Sequence, residues 1–188
     1  MSEAQAHPSW LTTLCTVVGC ALAYWAFFYL NDVLFRRLEF TPGVNWIFLP
    51  SGLRLSLVLI FLGWGALGIA LASIAISFWG YELSLLHSCI TGGISGLAPW
   101  VARRLSLDWL KMDPDIQHLH PKQLIQLALI FSITSPVLHQ LWFSWSGAST
   151  HFLQDTLVMI TGDLLGTLFI LFGLRLFILA LRAQRLRA

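Results

Sequence analysis

The chain has 188 residues, is 57% hydrophobic and only 11% charged, and its mean hydropathy is +0.75. A soluble domain carries roughly twice that share of charge, so the composition excludes a water-soluble enzyme or signalling domain and indicates a polytopic helical membrane protein. The formal net charge is +2, with arginines gathered at segment ends, a pattern of membrane orientation rather than of nucleic-acid binding.

Residues 1 to 9 contain no Lys or Arg, so the first apolar segment lacks the basic flank of a cleaved secretory signal and is expected to be retained. That segment, 10–30, reaches the roughly 20 apolar residues that cross a bilayer, and it closes on Tyr24, Trp25, Phe27, Phe28 and Tyr29, aromatics suited to an interface. A connector follows in which Arg36 and Arg37 face Asp32 and Glu39, with a turn signal at Thr41-Pro42-Gly43.

The run from Trp46 to Gly80 spans 35 residues with Arg54 as its one charge. It is too long for one span and just long enough for two short ones, with a natural break at Gly63-Trp64-Gly65, giving segments 46–62 and 64–79. Pro50 falls in the first turn of the former, where its missing N–H costs nothing. A turn at Gly80-Tyr81-Glu82 leads to segment 83–101, in which Gly92 and Gly96 form a small-residue face for close helix contact. Residues 103–123 read as a polar loop. Segment 124–143 contains Pro136, a kink signal, and segment 157–181 contains Gly162, Asp163, Gly166 and Arg175. Cys15, Cys20 and Cys89 lie in apolar segments without metal or redox spacing and read as small buried residues.

Apart from Arg54 and Arg175, nine Lys or Arg lie outside these segments. One crossing by 46–79, as a re-entrant half-helix plus a span, puts all nine on the cytoplasmic side with the N-terminus outside; two crossings put the N-terminus inside and only Arg36 and Arg37 outside. Both place the 103–123 loop and the C-terminus in the cytoplasm. A lone intramembrane cation requires an anion. With six spans, Arg54 lies roughly 12 Å below the outer edge and Asp163 about 10 Å, at 1.5 Å per helical residue, so the two share one depth. The re-entrant arrangement strands both, so six spans are preferred. The expected fold is an all-α integral membrane bundle of about six transmembrane helices, with short Gly-rich helices in the middle, forming one domain over 1–188.

Several motifs in this order resemble the first class of membrane-associated sensor domains, the MASE domains found at the N-termini of bacterial sensor kinases and cyclic-dinucleotide enzymes. The correspondence runs through Phe48-Leu49-Pro50-Ser51-Gly52, then Gly63-Trp64 with Gly68, then the helix end Ala98 to Arg104 with its paired arginines, then Gly162-Asp163-Leu164-Leu165-Gly166. The chain departs from the pattern at Arg54, where the family usually has a small apolar residue, and no output domain is expected after Ala188. The resemblance implies sensing by a domain of a bacterial inner membrane, with the C-terminus cytoplasmic and with signalling through a separate partner.

From the residues themselves, Arg54 and Asp163 read either as the core of a ligand site or as an ion pair fixing helix register. In the six-span topology Ser51, His87, His139, Thr91, Gln140 and Thr161 fall in the outer half, with His151 in the adjoining loop. They form either an outward-facing polar pocket or ordinary polar contacts between helices. Pro50, Gly52, Gly92, Gly96, Gly162 and Gly166 are expected at helix contacts. Asp113, Asp115, His118 and His120 suggest a docking loop more than zinc, and no metal site is assigned. No nucleophile elbow, phosphate loop, dinucleotide fingerprint or HExxH is present. The function expected is that of a non-enzymatic sensor-like or partner-binding membrane module, its cofactors unknown, with the lipid bilayer and a protein in or at the membrane as partners and no nucleic acid. The alternative is a substrate-binding or accessory subunit of a larger membrane transport or multi-subunit complex.

Overall fold

The computed structural model of the chain describes residues 9–112 and 120–185. Ser9 caps helix α1, Trp10–Phe35, its hydroxyl accepting from the Thr12 amide at 3.2 Å. A 3₁₀ turn, Arg36–Leu38, leads into a short antiparallel hairpin of β1, Glu39–Thr41, and β2, Val44–Asn45. Pro42 and Gly43 form its turn. Gly43 has φ +79°, a conformation a side chain would resist, and its amide donates to the Glu39 carboxylate at 2.9 Å.

Helix α2, Leu49–Ala75, continues through a π-turn, Ile76–Gly80. It is followed by α3, Leu85–Leu110, α4, Pro121–Trp145, and α5, Phe152–Arg185. The described residues thus contain five α-helices rather than about six. The difference arises because the expected segments 46–62 and 64–79 form one element, α2, in which only Leu62, with φ 50° and ψ −127°, departs from helical geometry.

That single residue reverses the chain. The Phe28 ring lies 6.2 Å from the Phe48 ring, just before α2, and also 6.2 Å from the Tyr81 ring, just after the π-turn. A straight helix from 48 to 81 would separate those rings by about 50 Å. The Gly65 Cα, moreover, sits so near the Leu57 carbonyl that an added Cβ would approach that oxygen to 2.5 Å. The glycines at the expected break are therefore not the reversal point. Gly65 serves the close approach of the two arms, and the left-handed step falls on Leu62.

The first arm of α2 is buried nearly all round, from Leu49 to Leu59, and forms the centre of the bundle. Around it stand α1, the second arm, α3 and α5, with α4 bridging α3 and α5. Glycine contacts set these approaches. Gly52 lies against the Gly166 carbonyl and Ile170, Gly162 against the Asn45 carbonyl, and Gly166 against the Phe48 carbonyl. Gly92 and Gly96 of α3 lie against the carbonyls of Ala70 and Ala66 on the second arm. Pro50 is fully buried at the start of α2.

Four of these helices, counting α2 with its π-turn as one, are long and apolar enough to cross a membrane. The exception, α3, is diluted by Ser, Thr, Gly and Pro in its buried face. The helices also outrun the apolar windows that foretold them. Residues 103–110, expected as loop, continue α3, with Arg104 paired to Asp108 at 3.2 Å one turn on. Of the three cysteines only Cys20 is buried; Cys15 and Cys89 are exposed on helix surfaces, contrary to their reading as core residues.

Candidate functional site

Arg54 is the largest fully buried side chain among the described residues. Its Nη2 donates to the Asp163 Oδ2 at 3.2 Å, and both side chains are 2% exposed. The guanidinium lies between two aromatic faces, 5.6 Å from the Phe48 ring centre and 5.4 Å from that of Phe131. Its Nε is buried without a hydrogen-bond partner.

Backbone contacts between α2 and α5 bring the pair together. The Phe48 amide donates to the Gly162 carbonyl at 3.2 Å. The Ser51 hydroxyl lies 2.8 Å from the Phe48 carbonyl, 2.9 Å from the Asp163 carbonyl and 3.1 Å from the Thr167 hydroxyl. Gly52, Gly162 and Gly166 allow this spacing, since a Cβ on each would run into backbone: the Gly166 carbonyl for Gly52, Asn45 of β2 for Gly162 and Phe48, just before α2, for Gly166. Asn31 of α1 fixes the start of α2 by accepting from the Leu49 amide at 2.9 Å.

Beside the pair a cavity of about 230 Å³ runs toward the end of the bundle that carries the β-hairpin. Arg54, Ser73, Ser95, Thr91 and His139 form its polar part; Tyr24, Phe28, Phe48, Tyr81 and Phe143 supply aromatic walls; Pro42, Gly43, Leu83 and Ala148 lie at its loop end. His87 also lines it, stacked on Phe143 at 5.8 Å and 13° between ring planes. Tyr81 stands just outside the helices, and burial, helped by the charges of Glu39 and Asp32, pushes its phenol well above the usual tyrosine range.

A chain of hydrogen bonds crosses three elements at the inner part of this cavity. The Ser73 hydroxyl donates to Ser95 Oγ at 2.9 Å. His139 Nδ1 lies 2.8 Å from the Ser135 carbonyl, which can only accept, so Nδ1 carries the proton and Nε2 is left as an acceptor. Ser95 then donates to Nε2 at 3.2 Å. Ser95 and His139 therefore stand in the order of a hydroxyl, a base and an orienting carbonyl. The surrounding amides of α3 are committed to its helical ladder, however, so its backbone provides no oxyanion pocket beside Ser95. The arrangement ties the second arm of α2 to α3 and α4.

Of the residues singled out from the sequence, Arg54, His87, Thr91 and His139 line the cavity; Ser51 and Asp163 lie behind Arg54. Gln140 is fully buried and donates to the Met159 sulfur at 3.0 Å. Thr161 instead bonds its own helix, at the Leu157 carbonyl, and His151 is exposed. Asp113, Asp115 and His118 lie outside the described residues, and among the described residues no cluster of metal-ligating side chains occurs. Sequence reasoning missed Ser73, Ser77, Phe131 and the aromatic walls. Serines inside apolar runs were the available signal for the first two.

No protein-family model, no curated protein and no solved structure matches this chain.

Proposed function

We propose that the chain is a non-enzymatic, six-pass sensor-like membrane module of MASE type. It takes a small molecule into the cavity beside Arg54 and passes occupancy to a separate protein partner. The observation that carries this reading is the cavity itself: about 230 Å³, floored by a buried arginine whose Nε lacks an acceptor. Two motifs that suggest the family, Pro50-Ser51-Gly52 and Gly162-Asp163-Leu164-Leu165-Gly166, pack on each other at this floor, which supports the resemblance.

Charge supports an orientation with the cavity facing outward. Arg103, Arg104, Lys111 and Lys122, with Asp108, lie at the helix ends away from the cavity, whereas Asp32, Glu39, Glu82 and Asp155 accompany Arg36 and Arg37 at the cavity end. Excess Lys and Arg stay cytoplasmic. The reversal at Leu62 supports two crossings by α2, which return the chain to the cavity side before α3 begins. The Ser73–Ser95–His139 chain then offers a route by which a filled cavity shifts α3 and α4 toward the cytoplasmic ends where a partner docks.

Cysteine labelling tests this reading. In a background lacking Cys15, Cys20 and Cys89, Arg36→Cys and Ser77→Cys are each expected to react with a membrane-impermeant maleimide applied to the outside of spheroplasts, and Lys122→Cys only in inverted vesicles. Labelling of Arg36→Cys from the same side as Lys122→Cys would overturn the six-pass arrangement. Co-purification then identifies the role: a kinase or cyclase supports sensing, whereas a stoichiometric ATPase pair would replace it with a transport subunit.

A further inference from the structure

Resting on the reading of this cavity as a ligand site, we infer that its ligand is an uncharged, single-ring aromatic compound bearing a hydrogen-bond acceptor such as a carbonyl.

Size sets the first limit. An engineered apolar cavity of about 150 Å³ accepts benzene. The present one, at about 230 Å³, accommodates a ring with a short polar substituent. The walls set the second limit, because Phe28, Phe48, Tyr81 and Phe143 line the cavity and an aromatic lining suits a flat apolar body.

Charge sets the third. Arg54 reaches the cavity already neutralised by Asp163 at 3.2 Å. A carboxylate ligand would bring a second anion beside Asp163 in an apolar setting, and an ammonium would face the guanidinium; both are disfavoured. A neutral ligand meets neither penalty.

The unmet polar atoms set the fourth. Among the cavity-lining side chains, Arg54 Nε and Thr91 Oγ1 are buried without hydrogen-bond partners, and the residues are 2% and 8% exposed. Nε is a donor only, and the Thr91 hydroxyl can also donate. The neighbouring Ser95 hydroxyl is already engaged on both sides, by Ser73 and His139. The buried polar atoms that the cavity leaves free can thus both donate, and neither is a strict acceptor, which selects a ligand that accepts.

The test is fluorine NMR on the full chain purified in dodecylmaltoside, with empty micelles as blank. The probes are 4-fluoroacetophenone, 4-fluorotoluene and 4-fluorobenzoate. Saturable binding of the ketone is expected, with weaker binding of the toluene and none of the benzoate. Thr91→Val, which keeps the side-chain shape, is expected to weaken the ketone about five-fold and leave the toluene unchanged, the effect of one hydrogen bond. Should Thr91→Val weaken both probes alike, the acceptor assignment is wrong. Tighter binding of benzoate than of the ketone overturns the uncharged class while leaving the cavity as a ligand site. Saturable binding of none, together with no protection of Ser77→Cys from maleimide by any probe, overturns the ligand-site reading itself.

Discussion

The ion pair between Arg54 and Asp163 gives the sharpest energetic prediction. Deleting one partner of a buried pair costs about 3–5 kcal/mol, most of it the penalty of the charge left behind. Asp163→Ala leaves the Arg54 guanidinium 2% exposed with only two ring faces beside it, and belongs in that range. Arg54→Ala also removes the contacts to Phe48 and Phe131, worth about 1 kcal/mol each in a desolvated site, and is expected at the upper end. Independent losses would sum to about 8–10 kcal/mol. The double variant has no orphaned charge and is expected to lose only about 6–7 kcal/mol, a coupling of about 2–3 kcal/mol. Unfolding in mixed micelles of dodecylmaltoside and SDS, followed by far-ultraviolet circular dichroism, measures each corner of the cycle. Losses that add to within about 0.5 kcal/mol would show that the two charges do not support each other and would refute the reasoning.

Glycine substitutions offer a matched comparison. Gly166→Ala drives a Cβ into the Phe48 carbonyl and is expected to cost about 1–3 kcal/mol, whereas Gly93→Ala meets nothing within 4 Å and should be neutral or slightly stabilising in the same unfolding assay. Ser95→Ala leaves the Ser73 hydroxyl and His139 Nε2 without partners and is expected to lower stability by about 1–3 kcal/mol, with Ser73→Ala/Ser95→Ala losing less than the sum of the two. Tyr81 binds its proton more tightly folded than unfolded, so its contribution is intact below about pH 10, the ordinary tyrosine value, and is lost as pH rises beyond it. Tyr81→Phe should therefore flatten the alkaline fall in midpoint temperature; an unchanged fall would remove Tyr81 as its source.

Much of the helical architecture was legible because it depends on local, one-dimensional signals. Apolar length marked the four helices long and apolar enough to cross a membrane, Pro42-Gly43 gave the turn that the hairpin uses, and the spacing of Gly92 and Gly96 marked a face for close contact. The helix ends were read too short, since residues 103–110 are polar yet continue α3 with their own ion pair. A hydropathy window does not register a helix that runs out of the bilayer. The reversal at Leu62 was placed one residue late for a related reason: glycine marks both sharp turns and close approaches, and only packing tells which role each one serves.

Composition, membrane character and the anomaly of Arg54 were determined by the sequence alone, because burying a charge in an apolar run has a cost that no neighbour needs to be known to recognise. Which residues surround that charge was decided by tertiary structure. Phe131, Ser73 and Ser95 reach the site from three different elements, and their convergence depends on how each helix is rotated about its axis. In a soluble protein the polar face reveals that rotation. Here lipid and bundle interior are both apolar, so the sequence carries little record of which face turns inward, and close contact between glycines and backbone carbonyls fixes it instead.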